Sequence, residues 1–313
     1  MEQPLPPNGA CLLGSFNLTK YVLNTTTEEG ASYSFDYDLF KKDIPIVVRA
    51  MDNIHDQGNF PLPEQAQESY NKRRMGLGVT GLANAIEAIA GPYGSSEFLR
   101  ECEDIMRMLR DEVYLASSLL AYEKGSFPLY DKDAYCEGEF FKTLSPYVQE
   151  SIRENGIRNS HLLSVAPTGT ISLCANNVSG GIEPVFNLGY TRTIQTEDGP
   201  TYEDVVDYAY KYWGVEGKKA DDCTPKEHLS VLALVNKYVD SAVSKTINVS
   251  PDIAWADFKS IYLEAWKMGC KGCTTFNKGG KRFGILNDET TLPKKEEAEA
   301  CYVDPETGQK ECS

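Results

Sequence analysis

The sequence predicts an α/β protein built on a parallel sheet, and three observations carry that reading. Near the C-terminal end, residues 245–249 read as a strand and residues 252–268 as an amphipathic helix through Ile253, Trp255, Phe258, Ile261, Tyr262 and Trp266. Residues 272–276 then read as a further strand. Strand, long helix, strand is a βαβ unit, which joins parallel strands. Earlier, residues 161–165 (His-Leu-Leu-Ser-Val) read as a buried strand that runs into a hydroxyl-rich loop. The composition, 41% hydrophobic and 25% charged over 313 residues, is an ordinary globular mixture.

The remaining elements follow in order. The start is proline-rich and turns apolar at residues 11–18. Residues 36–57 predict a helix, with Phe40, Ile44, Val47, Val48, Met51 and Ile54 at helical spacing. Residues 74–90 are punctuated by glycine and then rich in alanine. Ser95 or Ser96 caps a long helix through Phe98, Cys102, Ile105, Met106, Leu109, Val113 and Leu115, which ends before Gly125. A second helix follows Ser145. Residues 191–201 have hairpin character, with Asp198 and Gly199 at the turn. Residues 226–243 are helical. From about residue 286 the chain is polar, charged and poor in aromatics, which predicts a flexible tail. The expected division is one folded unit over 1–285 and a tail over 286–313.

Charge and composition exclude several classes. The 31 Lys and Arg against 46 Asp and Glu give a formal charge of −15. General nucleic-acid binding requires cations that displace counterions from phosphates, so such a partner is not expected, although a local patch can still hold a small phosphate. Every apolar run is too short to span a bilayer. Residues 1–7 carry neither a basic start nor an apolar core, so they are no secretory signal and a cytoplasmic protein is expected. Nine cysteines at irregular spacing do not suggest a disulfide framework.

Several constellations bear on chemistry. Gly76-Leu77-Gly78-Val79-Thr80-Gly81 has the spacing G-x-G-x-x-G, but no buried strand precedes it and no second strand follows. Close packing of a strand or helix is the better account. The loop Pro167-Thr168-Gly169-Thr170-Ile171-Ser172 follows a strand and offers hydroxyls, a glycine and backbone N–H groups, the donors an anion needs. An ordinary Thr/Ser helix cap fits it equally well. Glu183, beyond the Gly180-Gly181 turn, reads as a site acid or as a solvated loop charge. Cys270 and Cys273 form a C-x-x-C at a helix-to-strand turn. With no second pair, and with His55, His161 and His228 at no ligand spacing, that pair reads as structural. Cys301 and Cys312 bracket a turn on the tail, where two thiols can approach and exchange with another disulfide.

Six stretches in fixed order then resemble one family. They are residues 2–7 (Glu-Gln-Pro-Leu-Pro-Pro), 11–18 (Cys-Leu-Leu-Gly-Ser-Phe-Asn-Leu), 73–79 (Arg-Arg-Met-Gly-Leu-Gly-Val), 166–172, 181–186 (Gly-Ile-Glu-Pro-Val-Phe) and 272–275 (Gly-Cys-Thr-Thr). The chain resembles the large, catalytic subunits of ribonucleotide reductases, and most of all their adenosylcobalamin-dependent branch. The resemblance implies the C-terminal half of a ten-stranded α/β barrel. It implies reduction of ribonucleotides by thiyl-radical chemistry, with adenosylcobalamin as radical source and thioredoxin or glutaredoxin as reductant. By the family's motif Glu2 matches the carboxylate that takes the 3′-OH proton, and Cys11 matches one member of the reducing pair. Pro167, Thr168, Gly169, Thr170 and Ile171 match the substrate-phosphate loop. Cys301 and Cys312 resemble the tail pair that passes electrons inward, at wider spacing.

The family's radical cysteine and its asparagine would lie before Met1. The expectation is therefore a downstream piece that needs an N-terminal chain and is inactive alone. Members that use a diiron small subunit carry adjacent tyrosines where this chain has Cys273-Thr274-Thr275-Phe276, which favours cobalamin over a class I piece. The competing expectation is a non-catalytic phosphate-binding remnant or regulatory partner. Retention of Glu2, Cys11 and the tail thiols favours the enzyme.

Overall fold

The structure, a computed structural model, describes residues 4–27, 30–196, 199–277, 286–287, 301–303 and 310–312. Strand β1 (Leu12–Asn17) is followed by the hairpin β2 (Val22–Thr27) and β3 (Gly30–Phe35), and then by helices α1 (Tyr37–Gln57) and α2 (Pro63–Lys72). Strand β4 (Met75–Thr80) leads into α3 (Leu82–Ile89) and α4 (Ser96–Lys124). Three further helices follow: α5 (Lys132–Glu137), α6 (Glu139–Thr143) and α7 (Pro146–Asn155). After residues 161–165 come α8 (Gly169–Cys174), the hairpin β5 (Gly189–Thr196) and β6 (Gly199–Val206), α9 (Tyr208–Trp213) and α10 (Pro225–Lys237). The last long crossover is β7 (Thr246–Val249), α11 (Trp255–Lys267), β8 (Thr274–Asn277).

The parallel sheet is larger than its longest ladders indicate. β1 pairs β4 in parallel from Leu12↔Met75 to Asn17↔Thr80, and β7 pairs β8 in parallel from Thr246↔Thr274 to Val249↔Asn277. Residues 161–165 join the two pairs. Leu77 N–H donates to the Leu162 carbonyl at 2.8 Å and Ser164 N–H to that of Leu77 at 3.2 Å. On the other side Val165 N–H donates to Ala242 at 3.1 Å, and Ser244 N–H donates to Val165 at 2.9 Å. The bridges Leu77↔Leu163 and Val165↔Val243 are both parallel. The order is therefore β1, β4, 161–165, 242–249, β8. Among the described residues this array is open rather than a closed barrel.

One face of the array is covered by helices. Met75, Leu77 and Val79 of β4, Leu163, Val165 and Ile247 are buried there with Phe40, Ile44 and Val48 of α1. Phe98, Ile105, Met106 and Leu109 of α4 complete this part of the core. The caps explain why the helices start where they do. Asp36 accepts from Leu39 N–H, Ser95 accepts from Phe98 N–H, and Thr224 with Glu227 forms a capping box on α10. At the N-terminal ends of the strands, buried Asp52 receives Arg73 Nε and Nη2 at 2.9 and 2.8 Å, Lys124 at 3.2 Å and Arg158 at 3.3 Å. This cluster ties α1 and α4 to the start of β4.

The predicted helices after Asp36, Ser95 and Ser145 are present. The α10 helix stops at Lys237, short of the predicted residue 243, because residues 238–245 turn back to enter the sheet. The hairpin pairs Thr196 with Gly199, within the expected 191–201 stretch, and residues 197 and 198 lie outside the described residues. Glu2 lies outside the described residues. In the predicted tail, Cys301–Val303 pairs antiparallel with Lys310–Cys312, and Cys301 stands opposite Cys312 in register. The side chains of that pair also lie outside the described residues. Among the described residues no helix is long and apolar enough to cross a membrane.

Candidate functional site

Alternation along β4 separates a helix-covered face from an inner one. Met75, Leu77 and Val79 point into the core, so Gly76, Gly78 and Thr80 point the other way. A Cβ at Gly76 would lie 2.8 Å from Ser164 Cβ and 3.1 Å from the Cys11 sulfur. A Cβ at Gly78 would lie 2.4 Å from the Ser164 carbonyl oxygen. The glycines of the G-x-G-x-x-G stretch thus serve close strand packing, as the sequence suggested. Along β7, Thr246 and Asn248 are half-buried, whereas Ile247 and Val249 are buried with the core. The inner face therefore carries glycines and small polar groups at its centre, with Leu13 and Phe276 toward its edges, and Cys11 is a half-buried thiol at its lower end.

At the C-terminal ends of β4 and residues 161–165 the chain builds a compact loop cluster. Ligands bind outside the carboxyl ends of strands in parallel sheets, where helix N-termini and loops converge. Thr168 sits in the left-handed region at φ 54°, and its side chain turns inward. Its hydroxyl lies 2.8 Å from the Thr80 hydroxyl and accepts the Gly181 N–H at 2.7 Å. Thr80 in turn donates to the Ser179 carbonyl at 3.0 Å. Thr168 is the N-cap residue of α8 yet makes no side-chain cap bond, so the cap reading of this loop fails. Pro167, Gly169, Thr170 and Ile171 are exposed. A Cβ at Gly169 would meet nothing within 4 Å. The five predicted loop residues thus divide. Thr168 holds the loop, while Gly169, Thr170 and Ile171 present a helix start and a hydroxyl to open space.

The second turn packs directly against the first. Cβ atoms at Gly180 and Gly181 would each lie 2.8 Å from the carbonyls of Pro167 and Ala166. Ser179 N–H donates to Asn84 Oδ1 at 2.6 Å, and Asn84 Nδ2 donates to both carboxylate oxygens of buried Asp207. Glu183 is a partly exposed carboxylate held in an ion pair. Its Oε2 accepts from Lys245 Nζ at 2.5 Å and its Oε1 accepts the Thr246 N–H at 2.6 Å. Lys245 also donates to His228 Nδ1 at 2.8 Å and to the Thr246 carbonyl at 2.5 Å. Burial, and then the Lys245 ammonium, push the His228 imidazole down to about 3. It is a neutral acceptor. Neither Lys245 nor His228 was singled out as a site residue. The available signal was a lysine at a core-facing position of an otherwise apolar strand.

Three other thiols sit in environments that raise them. Burial pushes Cys102 up to about 12 and Cys270 up to about 11, with Cys273 raised as well. This matches a structural reading of the C-x-x-C pair. Among the described residues no group of three or more His, Cys, Asp or Glu side chains is placed to hold a metal. A surface cleft of about 560 Å³ is lined by Glu87, Gly91, Pro92, Glu216 and Lys218, and none of the predicted site residues borders it.

Comparison with known proteins agrees with this geometry. The family model for the ribonucleotide reductase barrel domain matches residues 1–216 and 207–276. A vitamin B12-dependent ribonucleoside-diphosphate reductase of Mycobacterium tuberculosis is 30% identical over 319 residues, covering 93% of this chain and 42% of that protein. The enzyme of the same name from Thermoplasma acidophilum is 30% identical, covering 95% of this chain and 39% of that protein. A ribonucleoside-diphosphate reductase subunit alpha of Chlamydia pneumoniae is 26% identical over 83% of this chain. The chain spans about two fifths of the length of the first two relatives. With the parallel array, the glycine-lined inner face and the loop at the strand ends, this match over most of the sequence places the chain in the ribonucleotide reductase barrel-domain family.

Proposed function

We propose that this chain is the substrate-phosphate-bearing part of a vitamin B12-dependent ribonucleotide reductase and forms the C-terminal half of its ten-stranded barrel. The observation that carries the reading is the loop at 167–171. Thr168 is locked from below by Thr80 and Gly181, which leaves the backbone of Gly169 to Ile171 and the Thr170 hydroxyl to receive an anion. A di- or triphosphate end is the ligand such a loop suits. The ribose would then lie along the inner face toward Cys11. Gly76 and Gly78 put no side chain of their own on that face. Adenosylcobalamin, when bound, would supply the radical for the chemistry. The residues of this chain do the rest of its share. Glu2 takes the 3′-OH proton so that the 2′-OH leaves as water. Cys11 gives one of the two thiols that are oxidised to a disulfide as the sugar is reduced. Cys301 and Cys312 exchange that disulfide with thioredoxin or glutaredoxin. The radical cysteine and its asparagine belong to the other half of the barrel.

Thr170→Val tests the loop, because it removes one hydroxyl at nearly constant volume. A hydrogen bond to a charged group contributes about 1.5–3 kcal/mol, so nucleotide affinity should fall roughly tenfold or more. Equal affinity, measured by equilibrium titration, would return the loop to a purely structural role.

A further inference from the structure

Three groups surround one buried ammonium. The Lys245 side chain is fully buried, and its Nζ faces Glu183 Oε2, His228 Nδ1 and the Thr246 carbonyl. With His228 in the tautomer that leaves Nδ1 free to accept, the three acceptors match the three protons of an ammonium. The second oxygen of Glu183 takes the Thr246 N–H. One step earlier on the same strand, Ser244 N–H donates to the Val165 carbonyl. The Glu183 carboxylate therefore stands where the next carbonyl of the neighbouring strand would stand had that strand continued. It allows the strand to end at Val165 and the chain to leave the sheet as the 166–171 loop.

Glu183 is also the end of the turn that supports that loop. Its N–H donates to the Gly180 carbonyl at 2.7 Å. Gly181 N–H donates to Thr168, and both turn glycines lie against the carbonyls of Ala166 and Pro167 with no room for a Cβ. A displacement of Glu183 is thus passed through two close backbone contacts to Thr168 and the start of α8. Lys245 lies on the helix-covered side, beside α10, and does not line the inner face.

We infer that Lys245, acting through Glu183 and braced by His228, is a positioning residue that fixes the anion loop at 167–171 for the phosphate end of a nucleotide. This rests on the function proposed above and names the group that sets the geometry of the same site. A buried ion pair breaks with a penalty chiefly because the remaining partner is stranded. Removal of the ammonium frees Glu183 to swing toward water and takes the Gly180-Gly181 turn with it.

The test uses the full chain with ADP as probe. It compares the wild type with Lys245→Met, with Glu183→Gln, which keeps an acceptor for Thr246 N–H, and with Val249→Ala. The last variant loosens the same strand without touching the cluster. Affinity is read by titration, and amide hydrogen exchange is read at Gly181 and Thr246. The expected result is roughly tenfold weaker binding and faster exchange at Gly181 in Lys245→Met and Glu183→Gln, with neither change in Val249→Ala. Undiminished affinity in both cluster variants, or an equal loss in Val249→Ala, overturns the inference. If Lys245→Met fails to fold, Glu183→Gln decides alone. If the wild type itself binds no ADP, the phosphate-loop reading falls. The positioning inference is then decided by exchange at Gly181, which must still accelerate in the cluster variants.

Discussion

Glu87 shows how one side chain makes stability depend on pH. It sits on α3 almost wholly buried. Its Oε1 accepts the N–H groups of Tyr93 at 3.0 Å and Lys218 at 2.8 Å, so it ties the 216–218 segment to the helix. Burial pushes the carboxyl up to about 7, and nearby Asp207 adds to the rise, although the two N–H bonds oppose it. A carboxyl raised in the folded state holds its proton there longer than in the unfolded chain. Its contribution is therefore fully present below the unfolded value of 4.5 and is lost as pH rises through about 7. The difference amounts to on the order of 3 kcal/mol. Glu87→Gln keeps the acceptor and removes the titration. Denaturant melts between pH 5 and 8 should therefore show the variant gaining on the wild type as pH rises. Parallel pH profiles would mean that Glu87 ionises in the fold without penalty.

At the scale of elements, β4 is the position least able to change. Gly78→Ala would place a Cβ 2.4 Å from the Ser164 carbonyl oxygen and 3.0 Å from Val165 Cα, both backbone contacts that cannot rotate away. The strand must then separate from residues 161–165, a cost of about 1–3 kcal/mol by analogy with overpacked cores. Gly169→Ala, with nothing in reach of its Cβ, should leave the melting point nearly unchanged. Similar melting points for the two variants would show that the sheet can relax at this point. These elements also mark what the sequence alone can tell. The α1 and α4 helices were legible because each bears a capping side chain and a long apolar stripe. Thr168 was recognised as part of a loop, but its inward turn was not, because its partners Thr80 and Gly181 are brought to it only by the fold. Glu183 and Lys245 are 62 positions apart, and no local pattern joins a loop acid to a strand lysine. The 161–165 strand was legible as an apolar run, yet its role as the link between two ladders depends on pairings with β4 and residues 242–244 that no short-range signal encodes.

At the scale of the molecule, the two faces of the parallel array differ. Sheets of parallel strands are characteristically buried on both faces. Here the helix-facing side holds the core, and on the other side Gly76, Gly78, Thr80 and Ser164 at the centre are buried while Leu13, Ser15, Thr246 and Asn248 toward the edges are half-buried or exposed. Among the described residues β1 pairs only with β4 and β8 pairs only with β7, so each presents an unpaired edge. Open edges are stable when another chain or segment supplies strands to them. The family's relatives extend well beyond the length matched here. The expectation is that this chain alone shows no reductase turnover and self-associates in light scattering. Co-expression with an N-terminal chain that carries the radical cysteine should give a one-to-one complex. In that complex the amides of Leu12–Asn17 and Thr274–Asn277 become protected from hydrogen exchange, while those of α4 do not change. Activity should then appear only with adenosylcobalamin, and Cys11→Ser should stop multiple turnover, since a hydroxyl cannot close the disulfide. A monodisperse isolated chain whose β1 and β8 edges are already protected would contradict the open-array account. Protection that appears at the edges without turnover would retain the assembly and turn the enzyme into the non-catalytic partner.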